Sequence, residues 1–113
     1  MVNPSYVPDR GDIVWLNFNP QTGHEQAGHR PALVISPQDY NRQTGLGLFC
    51  PITSSVKGYF FEVPLPVNCP ITGVVLADQI KSQDWRARNT RFECRVNLNV
   101  VGEVLAKVNV LLQ

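Results

Sequence analysis

Ionisable side chains are concentrated in one short segment of the chain. It contains His24, Glu25, His29 and Arg30. Pro31 follows directly; it has no backbone N–H and favours an extended conformation at the residue before it, so the charged segment should end where a strand begins. An arginine beside such a strand can hold its planar guanidinium against a phosphate, and a carboxylate or an imidazole can transfer protons. The segment therefore predicts a site for chemistry on an anionic group.

The same residues allow two alternatives to catalysis. His24 and His29 near Glu25 could bind zinc, but the histidines are five residues apart in the chain, so they would not share one face of a helix. Glu25 and Arg30 could instead form an exposed ion pair, which the segment alone favours over catalysis. His29 could be a proton donor, a platform for base stacking or a solvated side chain.

Composition limits the class of protein. The 113 residues are 43% hydrophobic, which predicts a single globular domain over residues 1–113. The formal net charge is only +1, so any nucleic-acid binding needs a local patch of Lys and Arg. The N-terminus resembles neither a signal peptide nor a membrane span, which predicts a cytoplasmic protein.

The cysteines are Cys50, Cys69 and Cys94. Their number is odd, they are far apart in the chain, and none belongs to a CxxC pair, which disfavours both a disulfide framework and a zinc knuckle. We expect structural or functionally idle thiols.

Short apolar runs separated by Gly, Pro and Asn make up most of the chain. Runs rich in β-branched and aromatic residues that end in such turn residues predict strands. The predicted strands are 11–18, 31–35, 46–53, 60–65, 73–79 and 91–96. Pro51 cannot donate to a β ladder, which predicts a bulge, an edge or the end of a strand there. Thr53 would then lie at a strand exit.

Helices are predicted in three places. Ser36 before Pro37 predicts the N-cap of one or two helical turns that reach Arg42. Residues 84–88 predict a single helical turn. At the C-terminus, apolar residues at spacings of three and four, capped by Asn97 or Asn99, predict a helix packed on the sheet: Val100, Val101, Val104, Leu105, Val108, Leu111 and Leu112. Short strands with one terminal helix predict a mainly β, α+β fold built on a small twisted or barrelled sheet.

Several segments in a fixed order resemble the MazF/PemK family of toxin-antitoxin endoribonucleases. They are the run 23–32 with its Arg-Pro exit, and the segments 11–15, 51–53, 76–82 and 85–88. The resemblance extends from about Val7 to the C-terminus. It implies an SH3-like barrel with short helices that acts as a homodimer and cleaves single-stranded mRNA at short sequences. It also implies that the protein uses no metal or cofactor and leaves a 2',3'-cyclic phosphate and a 5'-hydroxyl.

The resemblance further implies partners and catalytic residues. A cognate antitoxin would inhibit the protein, and operator DNA would be contacted only through the complex with that antitoxin. Arg30 and Thr53 correspond to residues around the scissile phosphate, and Glu25 to an acid or base in a mobile loop. In the PemK branch the base has been placed at the position of Asp78, with an arginine two residues earlier; here that earlier position is Leu76.

Six residues are candidates for RNA binding through charge, stacking or hydrogen bonds to base edges. They are His29, Lys57, Asp78, Gln79, Lys81 and Arg86. The alternative for the charged residues is a solvated surface, and for Asp78 and Gln79 it is helix capping. Among the aromatic residues, Trp15 and Tyr59 could stack on unpaired bases, whereas Trp85 is expected in the core.

Two other functions fit the same fold. One is a non-catalytic SH3-like protein-interaction module, which would need neither Glu25 nor Arg30. The other is a gyrase poison, which uses a Trp-Gly-Ile C-terminus, whereas this chain has Val-Leu-Leu-Gln at 110–113. For the catalytic function, we expect the segment 21–28 to be a flap that is poorly ordered without RNA.

Overall fold

An antiparallel sheet forms the body of the protein. The structure is a computed structural model that describes residues 6–19, 23 and 28–113. Within these residues there are seven strands, two α-helices and one short 3₁₀-helix. The strands are β1 (Asp12–Asn17), β2 (His29–Val34), β3 (Leu46–Thr53), β4 (Glu62–Pro64), β5 (Val74–Leu76), β6 (Lys81–Asp84) and β7 (Arg91–Arg95). The helices are α1 (Gln38–Thr44), the 3₁₀-helix (Ala77–Gln79) and α2 (Leu98–Leu111).

The long strand β3 joins the two halves of the sheet. The strand order is β4-β5-β3-β2-β1-β7, and β6 pairs with the first half of β3. On one edge of β3, residues 46–49 pair with β6 and residues 52–53 pair with β5. Pro51, which has no N–H to donate, lies in the gap between these two partners. The irregularity predicted at Pro51 is thus a change of partner, and the strand runs on to Thr53.

Apolar side chains cover both faces of the central strands. Ile13, Leu33 and Cys50 are aligned across β1, β2 and β3 and belong to the core that packs against α2. Their neighbours along each strand, such as Val14, Ala32 and Phe49, belong to a second core on the other face of the sheet. Trp85 is also buried in this second core, as predicted. This period of two is what a sheet buried on both faces requires.

The terminal helix forms as its sequence predicts. The side chain of Asn97 accepts a hydrogen bond from the amide of Val100 at 3.1 Å, which caps the first turn. The buried residues of α2 are Val100, Val101, Val104 and Val108. The helix therefore packs on the sheet along one apolar face. In the described part of the chain, no helix is long and apolar enough to cross a membrane.

The structure corrects the predicted start of β2. The loop was expected to include Arg30 and the strand to begin at Pro31, but β2 begins at His29. Leu16 and Asn17 of β1 pair with Arg30 and His29, which extends the ladder beyond the proline. The backbone of Arg30 is therefore held by pairing with β1.

The predicted cap of the first helix is also wrong. α1 begins at Gln38, and its cap position, Pro37, makes no side-chain hydrogen bond to the helix. Ser36 is buried instead, where its hydroxyl donates to Asn41 Oδ1 at 2.6 Å and accepts the amide of Leu48 at 2.8 Å. Tertiary hydrogen bonds thus take the hydroxyl that a helix cap would have used.

Two shorter segments differ from the prediction as well. The run 73–79 is divided into β5 and the 3₁₀-helix, and the helical turn predicted at 84–88 is a hydrogen-bonded turn after β6. Strand β6 itself was not predicted, because its sequence Lys-Ser-Gln-Asp has no β-branched or aromatic residue. Pairing with the free edge of β3 makes it a strand.

Candidate active site

Arg30 and Thr53 lie at neighbouring strand ends. The β2–β3 ladder reaches the pair Ala32–Pro51, and Arg30 and Thr53 each stand two residues beyond that pair. β1 pairs with the backbone of Arg30, and β5 pairs with that of Thr53. Arg30 and Thr53 thus lie just beyond the end of the β2–β3 ladder, and each is held by a different neighbouring strand.

Arg30 lines a groove of about 290 Å³, called here the arginine groove. Apolar residues of β1, β2 and β3 contribute to it, and the segment 70–72 forms its other wall. Its lining residues are Trp15, Arg30, Pro31, Ile52, Ser54, Pro70, Ile71 and Thr72. A guanidinium in a groove with both apolar and polar lining residues suits a ligand that carries both a phosphate and a flat base.

Thr53 lines a second, smaller cavity of about 110 Å³, called here the threonine cavity. Its other lining residues are Ser55, Lys57, Tyr59, Glu62, Leu76 and Gln79. Thr53 is buried, and its side-chain oxygen accepts the amide of Ser55 at 3.1 Å. The end of β3 and the turn after it contribute to both sites: Ile52 and Ser54 line the groove, and Thr53 and Ser55 line the cavity.

Glu62 holds the loop whose residues Ser55, Lys57 and Tyr59 line the threonine cavity. Its carboxylate is buried and accepts the amide of Lys57 at 2.9 Å and the amide of Gly58 at 2.8 Å. Lys107 of α2 donates to the backbone carbonyl of Glu62 at 3.1 Å. A charged residue inside the apolar run 60–65 was the signal in the sequence, but its partners could not be identified there.

Removal of this carboxylate is expected to release the loop. In Glu62→Ala the free energy of unfolding should fall by about 2 kcal/mol, because two amides lose a charged acceptor. Hydrogen exchange at Lys57 and Gly58 should accelerate, with an intermediate effect in Glu62→Gln. The exposed Glu103→Ala is the control, with a change within about 0.5 kcal/mol. Wild-type exchange rates at both amides in Glu62→Ala would show that Glu62 does not anchor the loop.

Tyr59 and Asp78 form a hydrogen-bonded pair at the rim of the threonine cavity. The Tyr59 hydroxyl donates to Asp78 Oδ1 at 2.9 Å. Loss of hydration and then this hydrogen bond raise the pKa of Tyr59 to about 12, so the phenol keeps its proton at neutral pH. Sequence reasoning missed this pair because its members are 19 residues apart.

His29 is exposed and stacks on Trp15 at the arginine groove. The two ring centroids are 5.8 Å apart and the ring planes differ by 10°. Trp15 also donates its indole N–H to Glu93 Oε1 at 2.9 Å. These contacts hold a flat aromatic surface beside Arg30, as a stacking platform requires.

The remaining predicted residues are divided between the site and other places. Lys57 and Gln79 line the threonine cavity, and Lys81 follows closely as the first residue of β6. Arg86 is not brought to either cavity: its guanidinium lies 4.7 Å from the centre of the Trp85 ring and donates to the carbonyl of Arg42 in α1.

Glu25 and His24 lie outside the described residues, as does most of the expected flap at 21–28. In the described part of the chain there is no cluster of three or more His, Cys, Asp or Glu residues that could hold a metal ion. The zinc alternative involves His24 and Glu25 and therefore stays a prediction.

Comparisons with known proteins identify the family of the chain. The chain matches the family model described as PemK-like, MazF-like toxin of type II toxin-antitoxin system over residues 9–112. It is 50% identical over 107 residues to the endoribonuclease toxin MazF of Escherichia coli K12, covering 95% of this chain and 96% of that protein. It is 37% identical over 108 residues to the endoribonuclease PemK of Escherichia coli, covering 92% of this chain and 81% of that protein.

Solved structures show the same fold. The crystal structure of MazF from Deinococcus radiodurans has a TM-score of 0.92 and 54% identity, covering 95% of this chain and 97% of that chain. A MazE–MazF crystal structure from the same organism gives a TM-score of 0.86 at 54% identity, covering 95% and 96% of the two chains. The predicted mainly β, SH3-like fold is confirmed, and the chain belongs to the PemK-like, MazF-like family of toxins of type II toxin-antitoxin systems.

Proposed function

We propose that this protein is a sequence-selective endoribonuclease toxin that cleaves single-stranded RNA without a metal ion. The observation that carries the proposal is the position of Arg30 and Thr53 at adjacent strand ends, where Arg30 lines the arginine groove and Thr53 lines the threonine cavity. The endoribonuclease activity named for the MazF and PemK relatives supports it. The products are a 2',3'-cyclic phosphate and a 5'-hydroxyl.

The chemistry requires stabilisation of charge on a five-coordinate phosphorus. The 2'-hydroxyl oxygen attacks the adjacent phosphorus, and the 5'-oxygen of the next nucleotide leaves. Arg30 stabilises the phosphate oxygens with a charged, planar set of donors. Thr53 adds a second donor: its oxygen accepts the Ser55 amide, and its O–H proton, which points away from that amide, can be donated to a phosphate oxygen.

Two proton transfers accompany this step: one from the 2'-hydroxyl and one to the leaving oxygen. Glu25 is the proposed acid or base, on the basis of the family resemblance. Asp78 is less suited to the role of base in this chain, because one of its oxygens accepts from Tyr59 and the position of the PemK-branch arginine is the buried Leu76.

RNA would extend from the arginine groove to the threonine cavity. The Trp15–His29 stack offers a flat surface for one unpaired base, and Lys57 and Lys81 offer positive charge for the backbone. Gln79 lines the threonine cavity and can read the edge of a base. Asp78 would contact RNA at the rim of the threonine cavity, and Arg86 would contact it outside both cavities.

The protein partners follow from the family. The MazE–MazF crystal structures of Deinococcus radiodurans support a cognate antitoxin for this chain, which would inhibit cleavage by covering the same groove. A homodimer is proposed as the active form. Operator DNA would be contacted only through the toxin–antitoxin complex.

Incubation of the purified protein with a long single-stranded RNA in EDTA tests the activity. We expect discrete fragments that share a short sequence at the cut sites, and no cleavage of the same RNA annealed to its complement. RNA that stays intact with and without added metal would contradict the proposal and favour the interaction module. Cleavage that requires added Zn²⁺ would instead support the zinc alternative.

A further inference from the structure

Two of the three cysteines meet in the folded protein although they are distant in the sequence. The sulfur atoms of Cys69 and Cys94 are 4.0 Å apart, both side chains are half-buried, and both thiols are free. We propose that this pair is an oxidation site, which peroxide converts to a disulfide that narrows the arginine groove. The effect on RNA cleavage rests on the proposed function, whereas the disulfide itself does not.

The geometry allows the bond with a small movement. A disulfide needs sulfur atoms about 2.05 Å apart, so the two sulfurs must approach by about 2 Å. Cys94 is held in β7 opposite Ile13, but Cys69 lies in a turn, where its amide donates to the carbonyl of Pro66 at 3.0 Å. The movement therefore falls on the turn, since turns are more easily displaced than paired strands.

The oxidation balances with one molecule of peroxide. Cys69 is the thiol in the displaceable turn, so we take Cys69 as the first sulfur to react. Cys69 loses its thiol proton and its sulfur attacks peroxide, giving a sulfenic acid and one water. The Cys94 sulfur then displaces the hydroxyl from Cys69, and the Cys94 proton leaves with it as a second water. Two thiols are oxidised by two electrons, and peroxide is reduced to water.

The position of the pair connects it to the groove. Cys69 is followed directly by Pro70, Ile71 and Thr72, which form the second wall of the arginine groove. Cys94 pairs with β1, the strand that carries Trp15 on the other side of the groove. Shortening the distance between the two sulfurs pulls the wall towards β1 and β7 and holds it there. We therefore expect the oxidised protein to admit RNA more slowly.

Cys50 provides an internal comparison. It is fully buried in the core, and burial raises the pKa of its thiol to about 12. A buried thiol of this kind is inert to peroxide and to alkylation in the folded state. Oxidation should therefore be confined to Cys69 and Cys94.

The experiment combines a peptide map with an activity assay. The wild type and Cys69→Ser are treated with hydrogen peroxide, quenched in acid, unfolded and alkylated, and the peptides are identified by mass spectrometry. We expect a peptide linking Cys69 to Cys94 in the wild type and alkylated Cys50 in both proteins. RNA cleavage by the oxidised wild type should be about tenfold slower and recover with dithiothreitol, while Cys69→Ser keeps its rate.

Alkylation of both Cys69 and Cys94 after peroxide treatment would overturn the oxidation site. A linked protein that cleaves RNA as fast as the reduced protein would overturn the effect on the groove. If the reduced wild type cleaves no RNA, the proposed function and with it the effect on cleavage fail, but the peptide map still decides whether the disulfide forms.

Discussion

The variant Arg30→Ala is expected to cleave RNA about 10²–10³-fold more slowly than the wild type, because the transition state loses its charged donors. The loss should appear in single-turnover rates at saturating RNA, since these donors matter most when charge develops on the phosphate. Arg30→Lys should recover only part of the rate, because an ammonium group keeps the charge but not the planar pair of donors.

Arg42→Ala is the matched control for the loss of one arginine. Arg42 is exposed on α1, and its guanidinium pairs with neighbouring side chains, Asp39 at 3.3 Å and Gln38 at 3.3 Å. Arg42→Ala lowers the net charge by the same amount as Arg30→Ala and should leave the cleavage rate within about twofold of the wild type. A folded Arg30→Ala variant with the wild-type cleavage rate would remove Arg30 from the proposed mechanism.

Gly73→Ala is expected to give the largest loss of stability among the glycine variants of the site. A Cβ at Gly73 would overlap with the carbonyl oxygen of Thr53, and φ of +124° is a conformation that side chains rarely adopt. Because the obstacle is backbone, it cannot move aside cheaply. We expect the free energy of unfolding to fall by about 3 kcal/mol or more, measured by urea denaturation at one protein concentration.

Gly58→Ala separates backbone strain from the clash. Gly58 has φ of +82°, but no described atom lies within 4 Å of the position that a Cβ would take there. Alanine at this position then has only the cost of the left-handed conformation, so the free energy of unfolding should fall by about 1–2 kcal/mol. Equal losses of stability in Gly73→Ala and Gly58→Ala would show that the contact with Thr53 is not tight.

Local patterns predicted the elements that depend on neighbouring residues. The strand 46–53 has the predicted bounds, and α2 forms with its Asn97 cap, because a periodic apolar pattern and a cap are both local. β6 and Ser36 were mispredicted, because each depends on partners elsewhere in the chain: the edge of β3 for β6, and the side chain of Asn41 and the amide of Leu48 for Ser36.

The contacts of the candidate site also depend on partners that are distant in the sequence. Arg30 and Thr53 were identified through the resemblance, and the strand register then explains why they lie at neighbouring ends. The anchoring of the loop by Glu62, the Tyr59–Asp78 pair and the thiol contact could not be predicted, since each joins positions whose proximity only the folded sheet creates. Within the segment rich in ionisable residues, Arg30 belongs to a strand, while Glu25 lies outside the described residues.

The most direct test of the central proposal uses an RNA oligonucleotide with one mapped cut site and a copy that carries a single 2'-deoxynucleotide immediately before that site. Both are incubated with the protein in EDTA, and the end groups are determined by mass spectrometry. We predict cleavage of the all-ribose RNA to a 2',3'-cyclic phosphate and a 5'-hydroxyl, and no cleavage of the deoxy-substituted copy. Cleavage of that copy at the same site, or fragments with 5'-phosphates, would contradict attack by the 2'-hydroxyl.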